Sequence, residues 1–227
     1  MNPSPTKYAW ITGASRGIGL ATAKEFLTQN WHVVVLTRNT SALNDLAAAN
    51  EHLTVVSLDL NDFTAQQLPD LPVDVLINNA GALINKPFAD ISRDDLTHIY
   101  GINVFGPFQL VRFLLPQMTT DAHIINISSV GGVQGSVKFP GLTAYSSSKG
   151  ALSLLTECLQ AEFQEQNNWS FNCLALGAVQ TEMLQEAFPG YQAPLSPEEL
   201  SPYIFNFATT AHKVMKGKII SVSLTTP

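Results

Sequence analysis

A chain of 227 residues suits one large α/β unit better than two small ones, and 45% hydrophobic residues are enough for a sizeable core. Only 13% of residues are charged, which excludes a disordered, solvating chain, and the net charge of −6 leaves no electrostatic footprint for nucleic acid. Residues 1–7 are polar and twice interrupted by proline, unlike a signal peptide, and no apolar run is long enough to span a bilayer. The expectation is a cytoplasmic protein that engages neither membrane nor nucleic acid.

Short apolar runs at residues 8–12, 32–37, 53–58, 73–77, 123–128, 170–176 and 218–222 read as strands. Several are almost continuously apolar, as in strands covered on both faces. Helical patterns at 17–29, 41–49, 93–118, 144–165 and 197–211 alternate with them. This order predicts an α/β fold, a Rossmann-type doubly wound parallel sheet of about seven strands with helices on both faces. No linker, repeat or charge block divides the chain, so one domain over 1–227 is expected.

The first strand runs into Thr12-Gly13-Ala14-Ser15-Arg16-Gly17-Ile18-Gly19, which opens the first helix. Glycines at a β-to-α turn let backbone approach a pyrophosphate, and the helix end offers free N–H groups and a positive dipole end. A tight turn without a ligand is the competing reading, weakened by the position at the first strand–helix junction. The second strand ends Leu36-Thr37-Arg38-Asn39, with no acid between Glu25 and Asp45. NAD sites usually place an acid there for the ribose. Arg38 instead suits a 2′-phosphate, and Arg16 could reach the same group. The cofactor expected is NADP(H), with an exposed loop charge as the alternative for Arg38.

Cys158 lies in an apolar helical pattern and Cys173 in an apolar run, so both are expected in the core, as thiols of a reducing compartment. His32, His52, His98, His123 and His212 show no ligand spacing, and no metal is predicted. Lys213, Lys216 and Lys218 read as a solvated edge, and the three tryptophans as packing groups. Residues 182–202 carry four prolines and a glycine, and read as a lid over a ligand site. Ser196-Pro197-Glu198-Glu199 is a helix start, but Pro202 implies a kink there or a true start near Ser201.

With these motifs in order, the sequence resembles the short-chain dehydrogenase/reductase family over nearly its whole length. The loop keeps the T-G-x-x-x-G-x-G spacing. Asn78-Asn79-Ala80-Gly81 matches the N-N-A-G motif and Tyr145-Ser146-Ser147-Ser148-Lys149 the Y-x-x-x-K motif. The resemblance implies catalytic roles for Asn103, Ser129, Tyr145 and Lys149. It implies cofactor binding by Gly13, Ser15, Arg16, Gly17, Ile18 and Gly19 of the loop, and by Thr37 and Arg38 after the second strand. Asp59, contacting adenine, and Leu60 would follow the third strand, and Asn79, Ala80 and Gly81 the fourth. Gly177, Val179 and Thr181 would follow the sixth, with Thr181 at the nicotinamide amide. Leu176-Gly177 stands where the family has proline and glycine, a glycine pair after the last strand is missing, and the interval from Ser129 to Tyr145 is longer than usual. A homodimer or homotetramer follows by analogy.

The implied reaction is hydride transfer between nicotinamide and a carbonyl or alcohol carbon. Tyr145 would give its proton to the substrate oxygen. Lys149, one turn on, would lower a phenol pKa of about 10 by roughly two units, and would also bond the nicotinamide ribose. Ser129 would hold the substrate oxygen, with Ser128 as the active hydroxyl if the assignment slips by one. Asn103 would hold a helix backbone open to a proton-relaying water. Val137, Phe139 and Leu142, with Met183, Leu184, Ala187, Phe188 and Tyr191, give the mouth an apolar lining, so a neutral, apolar small-molecule substrate is expected. Two other readings stand beside a carbonyl reductase or alcohol dehydrogenase. One is an NADP-binding redox sensor without turnover, although such relatives usually lose part of the Ser/Tyr/Lys set. The other is a nucleotide-sugar epimerase, which would need glycine at Arg16 and a larger C-terminal part.

Overall fold

The computed structural model describes residues 7–224. Most of the N-terminal stretch read above for a targeting signal lies outside them. Seven strands form one sheet: β1 (Tyr8–Thr12), β2 (His32–Thr37), β3 (Leu53–Ser57), β4 (Val73–Asn78), β5 (Met118–Ser129), β6 (Ser170–Leu176) and β7 (Ile219–Val222). Their order is β3-β2-β1-β4-β5-β6-β7, and every pairing is parallel. The order runs outwards in opposite directions from β1 and β4. That reversal opens a crevice at their carboxyl ends, the usual place for a ligand in such sheets.

The continuous apolar runs exist because both faces are covered. Ala9 and Ile11 of β1, with Val33 and Val35 of β2, pack under α1 (Gly17–Thr28) and α7 (Pro197–Thr210), where Phe26, Ile204 and Phe207 meet them. Trp10, Val34 and Leu36 point the other way, towards Leu110 and Leu114 of α4 (Gly106–Leu114). Strand alternation thus gives each face its own core. Helices α2 (Asn44–Ala49), α3 (Arg93–Tyr100), α5 (Thr143–Phe163) and α6 (Glu182–Ala187) complete the element set. Among the described residues no helix is long and apolar enough to cross a membrane.

Four expectations need correction. The pattern read as one helix over 93–118 is α3, a π-helical turn at Gly101–Phe105, α4 and a 3-10 turn at Leu115–Gln117. Strand β5 then begins at Met118, which pairs with Val73 ahead of an irregularity before His123 pairs with Val75. The pattern at 41–49 is a 3-10 turn at Ser41–Leu43 followed by α2. Helix α7 starts at Pro197 and continues through Pro202. The missing N–H of Pro202 leaves the Glu198 carbonyl without its helical donor, and the Ser201 hydroxyl donates to that carbonyl at 3.2 Å. Cys158 is exposed, while Cys173 is buried. The buried stripe of α5 runs through Leu152, Thr156 and Gln160, which turns Leu154, Glu157 and Cys158 outwards.

Candidate active site

Above the carboxyl ends of the strands lies a cleft of about 1280 Å³. Its frame is a set of hydrogen bonds across the β1–β4 reversal. The Thr12 hydroxyl accepts from the backbone N–H groups of Asn79 and Ala80 at 3.0 and 2.9 Å. The Asn79 amide donates to the carbonyls of Thr12 and Gly13 at 2.9 and 3.2 Å. Two glycines make this packing possible. Gly13 has φ +67°, and a Cβ there would come within 2.7 Å of the Ala80 Cα. A Cβ on Gly19 would meet the Asn79 amide at 2.5 Å and the Gly13 carbonyl at 2.6 Å. A glycine-lined turn at the start of a twelve-residue helix is a cradle that fits a pyrophosphate.

Every predicted site residue except Gly19 and Asn103 lines this cleft. Gly19 acts from behind, through the close packing just described. Asn103 is fully buried at the middle of the π-helical turn. Its Oδ1 accepts from Ala82 N at 2.8 Å, and its Nδ2 donates to the Ala82 carbonyl and the Ser148 hydroxyl, both at 2.9 Å. It therefore clamps the segment after Gly81 to α5. Gly81 sits between that amide and the lysine: a Cβ there would stand 3.3 Å from Lys149 Nζ and 3.4 Å from Asn103 Oδ1.

At the centre, Ser129 ends β5, its hydroxyl accepts from Gly131 N at 3.2 Å, and it stands near enough to the Tyr145 phenol to favour its ionised form. Ser128 is spent elsewhere, donating to the Lys149 carbonyl at 2.8 Å and accepting from Ser153 at 3.0 Å. Of the two serines, Ser129 is the one that meets Tyr145. Lys149 is 4% exposed, donates to the Ile127 carbonyl at 2.8 Å, and holds its amine 5.9 Å from the centroid of the Tyr145 ring. Burial pushes the lysine down to about 8. Burial also raises the Tyr145 phenol above its ordinary value, with the Ser129 hydrogen bond opposing it. This corrects the expected lowering by Lys149. The ammonium is tied to a backbone carbonyl and sits over the Tyr145 ring.

The remaining lining comes from the ends of the other strands and from three loops. Arg38 is exposed at the edge of the cleft, and among the described residues no carboxylate pairs with it. The Asp59 carboxylate accepts from Asn61 N at 2.9 Å, which orders the turn after β3. Arg16 is turned towards α6, where Glu182 Oε2 lies 2.6 Å from its guanidinium. Phe139, Leu142, Met183, Leu184, Phe188 and Tyr191 line the cleft as expected from their apolar character, whereas Val137 and Ala187 do not. Sequence reasoning missed Leu83 and Ser146, which also line it, and Asn85, whose amide donates to the Ala187 carbonyl at 2.9 Å. No spacing rule marks these positions; only their loops' convergence brings them together.

The family profile described as short chain dehydrogenase matches residues 7–192. The chain belongs to the short-chain dehydrogenase/reductase family. Among curated members, a fatty acyl-CoA reductase of Acinetobacter baylyi is 35% identical over 215 residues, covering 87% of this chain and 71% of that protein. Carbonyl reductase [NADPH] 2 of Sus scrofa is 32% identical over 157 residues, 68% of this chain and 64% of that one. The chain thus spans about two thirds of the length of these relatives. A solved structure of the family's fold, a 4-hydroxyisoleucine dehydrogenase mutant complexed with NADH and succinate, superposes with a TM-score of 0.84 at 29% identity, over 96% of this chain and 97% of that one. One of these names carries NADPH and another NADH, so membership alone leaves the choice of cofactor open.

Proposed function

We propose that this chain is an NADP(H)-dependent oxidoreductase that transfers hydride between nicotinamide and a carbonyl or alcohol substrate, with Tyr145 as general acid and base. The observation that carries it is the meeting of Ser129, Tyr145 and Lys149 at the floor of a cleft whose other end is the glycine cradle. When bound, the nicotinamide supplies or accepts the hydride. The residues of this chain position and move the proton. A phenol is protonated at neutral pH, the state a general acid needs for carbonyl reduction, and burial raises the Tyr145 phenol further. Ser129, beside the phenol, would share the substrate oxygen with it. Lys149 offers a positive charge at the ribose end, and Asn103 holds the Ala82 backbone and Ser148 in place. Gly13, Ser15, Gly17 and Ile18 would hold the pyrophosphate, Asp59 and Leu60 the adenine, and Asn79, Ala80, Gly81, Gly177, Val179 and Thr181 the nicotinamide half.

The preference for NADP(H) rests on Arg38, a guanidinium without a carboxylate partner among the described residues, where an acid would otherwise face the ribose. The apolar mouth supports a neutral, apolar substrate, and residues 182–196 are read as its lid, the later part of the predicted lid being α7. Exposed Phe105, Phe108 and Leu154 offer apolar surface that a homodimer or homotetramer would cover. Two free cysteines suit a reducing, cytoplasmic setting. The test is NADPH oxidation across a panel of neutral ketones, aldehydes and quinones. Turnover that NADH supports far less well is expected. Tight NADPH binding with no turnover on any carbonyl would instead identify a redox sensor.

A further inference from the structure

Strand β5 ends in two serines that alternation turns to opposite sides. Ser129 is partly exposed at the cleft, whereas Ser128 is buried and its hydroxyl is turned to α5, donating to the Lys149 carbonyl at 2.8 Å. The residue before it, Ile127, accepts from the Lys149 amine through its carbonyl, also at 2.8 Å. Two consecutive residues of β5 thus hold the lysine at its root and at its tip, and the next residue carries the Ser129 hydroxyl. Behind Ser128 stands buried Ser153, whose hydroxyl lies 3.0 Å from both the Ser128 Oγ and the Lys149 carbonyl. Ser153 in turn lies 3.6 Å from the Cys173 thiol on β6. Glycines allow this close approach. A Cβ on Gly132 would stand 2.7 Å from Lys149 C and from Gly150 N, and one on Gly150 would stand 3.1 Å from the Gly132 carbonyl.

We propose that Ser128 is a positioning residue for the reaction, with Ser153 as its support, and that it fixes the stretch of α5 from which Lys149 reaches into the cleft. The proposal rests on the hydride-transfer reading given above, since that reading gives Lys149 its task. A lysine side chain has many rotamers, and a tether at its tip alone leaves its backbone free to shift. The Ile127 carbonyl fixes the tip and the Ser128 hydroxyl fixes the root. An apolar side chain would fill this buried strand position without needing any partner. What the hydroxyl adds is direction: it ties the strand that ends in Ser129 to the helix at Lys149, one turn after Tyr145. The titratable groups that Lys149 faces are Tyr145 on its own helix and Cys173 on β6. A second buried cross-link offers a comparison. Asn126 of β5 donates to the Thr156 hydroxyl of α5 at 2.8 Å, about two turns beyond Lys149. The bonds of that pair run to Asn78 and the Leu152 carbonyl, away from Ser129, Tyr145 and Lys149.

The test compares Ser128→Ala with Thr156→Val, which removes the remote cross-link. Thermal unfolding and steady-state kinetics with NADPH and the best carbonyl are measured on both. The titration of Lys149 is followed in the cofactor-free protein by NMR of carbon-13-labelled lysine, its signal identified by its absence in Lys149→Met. Both variants should lose stability to a similar extent. Only Ser128→Ala should lower kcat, by about tenfold for a small misplacement, with KM for the carbonyl little changed. In that variant the amine, less firmly held in its buried place, should titrate about one pH unit higher than in the wild type. Ser153→Ala keeps the Ser128 bond and removes its support. It should act in the same direction, by about threefold in kcat, and it carries the test if Ser128→Ala does not fold. An unchanged kcat and lysine titration in Ser128→Ala, or equal changes in Thr156→Val, would overturn the positioning role and leave Ser128 to packing. A wild type that binds no NADPH would overturn the hydride-transfer reading instead. The lysine titration, which needs no cofactor, would still show whether Ser128 holds Lys149.

Discussion

The two ends of the sheet treat polar side chains in opposite ways. At the carboxyl ends, Arg38, Ser129 and Tyr145 line an open cleft. Towards the amino ends of β5 and β6, polar groups close on one another inside the core. His123 Nδ1 lies 2.8 Å from the Ala208 carbonyl, which can only accept, so Nδ1 carries the proton. Nε2 must then accept from the Asn172 amide at 2.9 Å. That amide cannot turn over, since its Nδ2 also donates to the Met215 carbonyl at 3.0 Å and its Oδ1 accepts from Lys218 N at 2.9 Å. The histidine is locked neutral, and burial pushes it down to about 4. One end of the sheet leaves polar groups to receive something; the other spends them on the fold.

Substitutions should separate these ends. The largest expected effect is at Gly13. Valine there must adopt a left-handed backbone and press on Ala80, at a cost of about 1–3 kcal/mol from the backbone alone. Fluorescence titration should show NADPH affinity falling about a hundredfold, while the acid sensitivity of the fold remains. At the closed end, acid should be the probe. The folded pKa of His123 lies below its unfolded value of about 6.5, so the unfolded chain binds the proton more tightly. Its contribution is present above pH 6.5 and is lost as pH falls towards 4, by up to about 3 kcal/mol. Urea unfolding across that window measures the slope. His123→Leu should flatten it while lowering stability at pH 7, because Asn172 and Ala208 lose a partner.

Smaller effects are expected at the cleft edge. Arg38→Ala should cost NADPH about tenfold in affinity relative to NADH, the worth of a charged hydrogen bond, with stability unchanged within about 0.5 kcal/mol. Equal affinities in the wild type would remove the argument from Arg38. At neutral pH the smallest effect is that of Lys149, which shows itself only as the solution turns alkaline. Lys149, held down to about 8 by burial, loses its charge as pH rises through that value. NADPH affinity should therefore be halved near pH 8 and fall by roughly tenfold per unit above it. A flat profile to pH 10 would show that the cofactor does not depend on the ammonium.

The same contrast explains what the sequence made legible. Strands β1, β2 and β6 begin and end where their apolar runs do, because burial on both faces leaves no exposed position to blur the boundary. The cleft motifs stood out because close backbone approach demands glycine at Gly13 and Gly19, and because the four-residue spacing of Tyr145 and Lys149 sets both one turn apart on α5. Cys158 was misread because a long helix of mixed pattern offers two plausible apolar stripes, and packing against β5 and β6 chose the other. The helix over 93–118 was misread because a π-helical turn keeps helical hydrophobicity while changing the hydrogen bonds. Arg16 was legible as a cation of the phosphate loop, but its partners Glu182 and Glu186 lie more than 160 residues away. The sign of the Tyr145 shift was not legible at all, since it depends on burial and on where the lysine amine is anchored.

The account stands most directly on Tyr145. Initial rates of NADPH oxidation, with the carbonyl that serves the wild type best, should be compared with those of Tyr145→Phe, with NADPH binding measured on both. The phenylalanine keeps the ring and its packing and removes only the proton donor. Turnover should fall by about 10²–10⁴ with NADPH affinity unchanged. A variant that turns over as the wild type does, on the same bound cofactor, would contradict it.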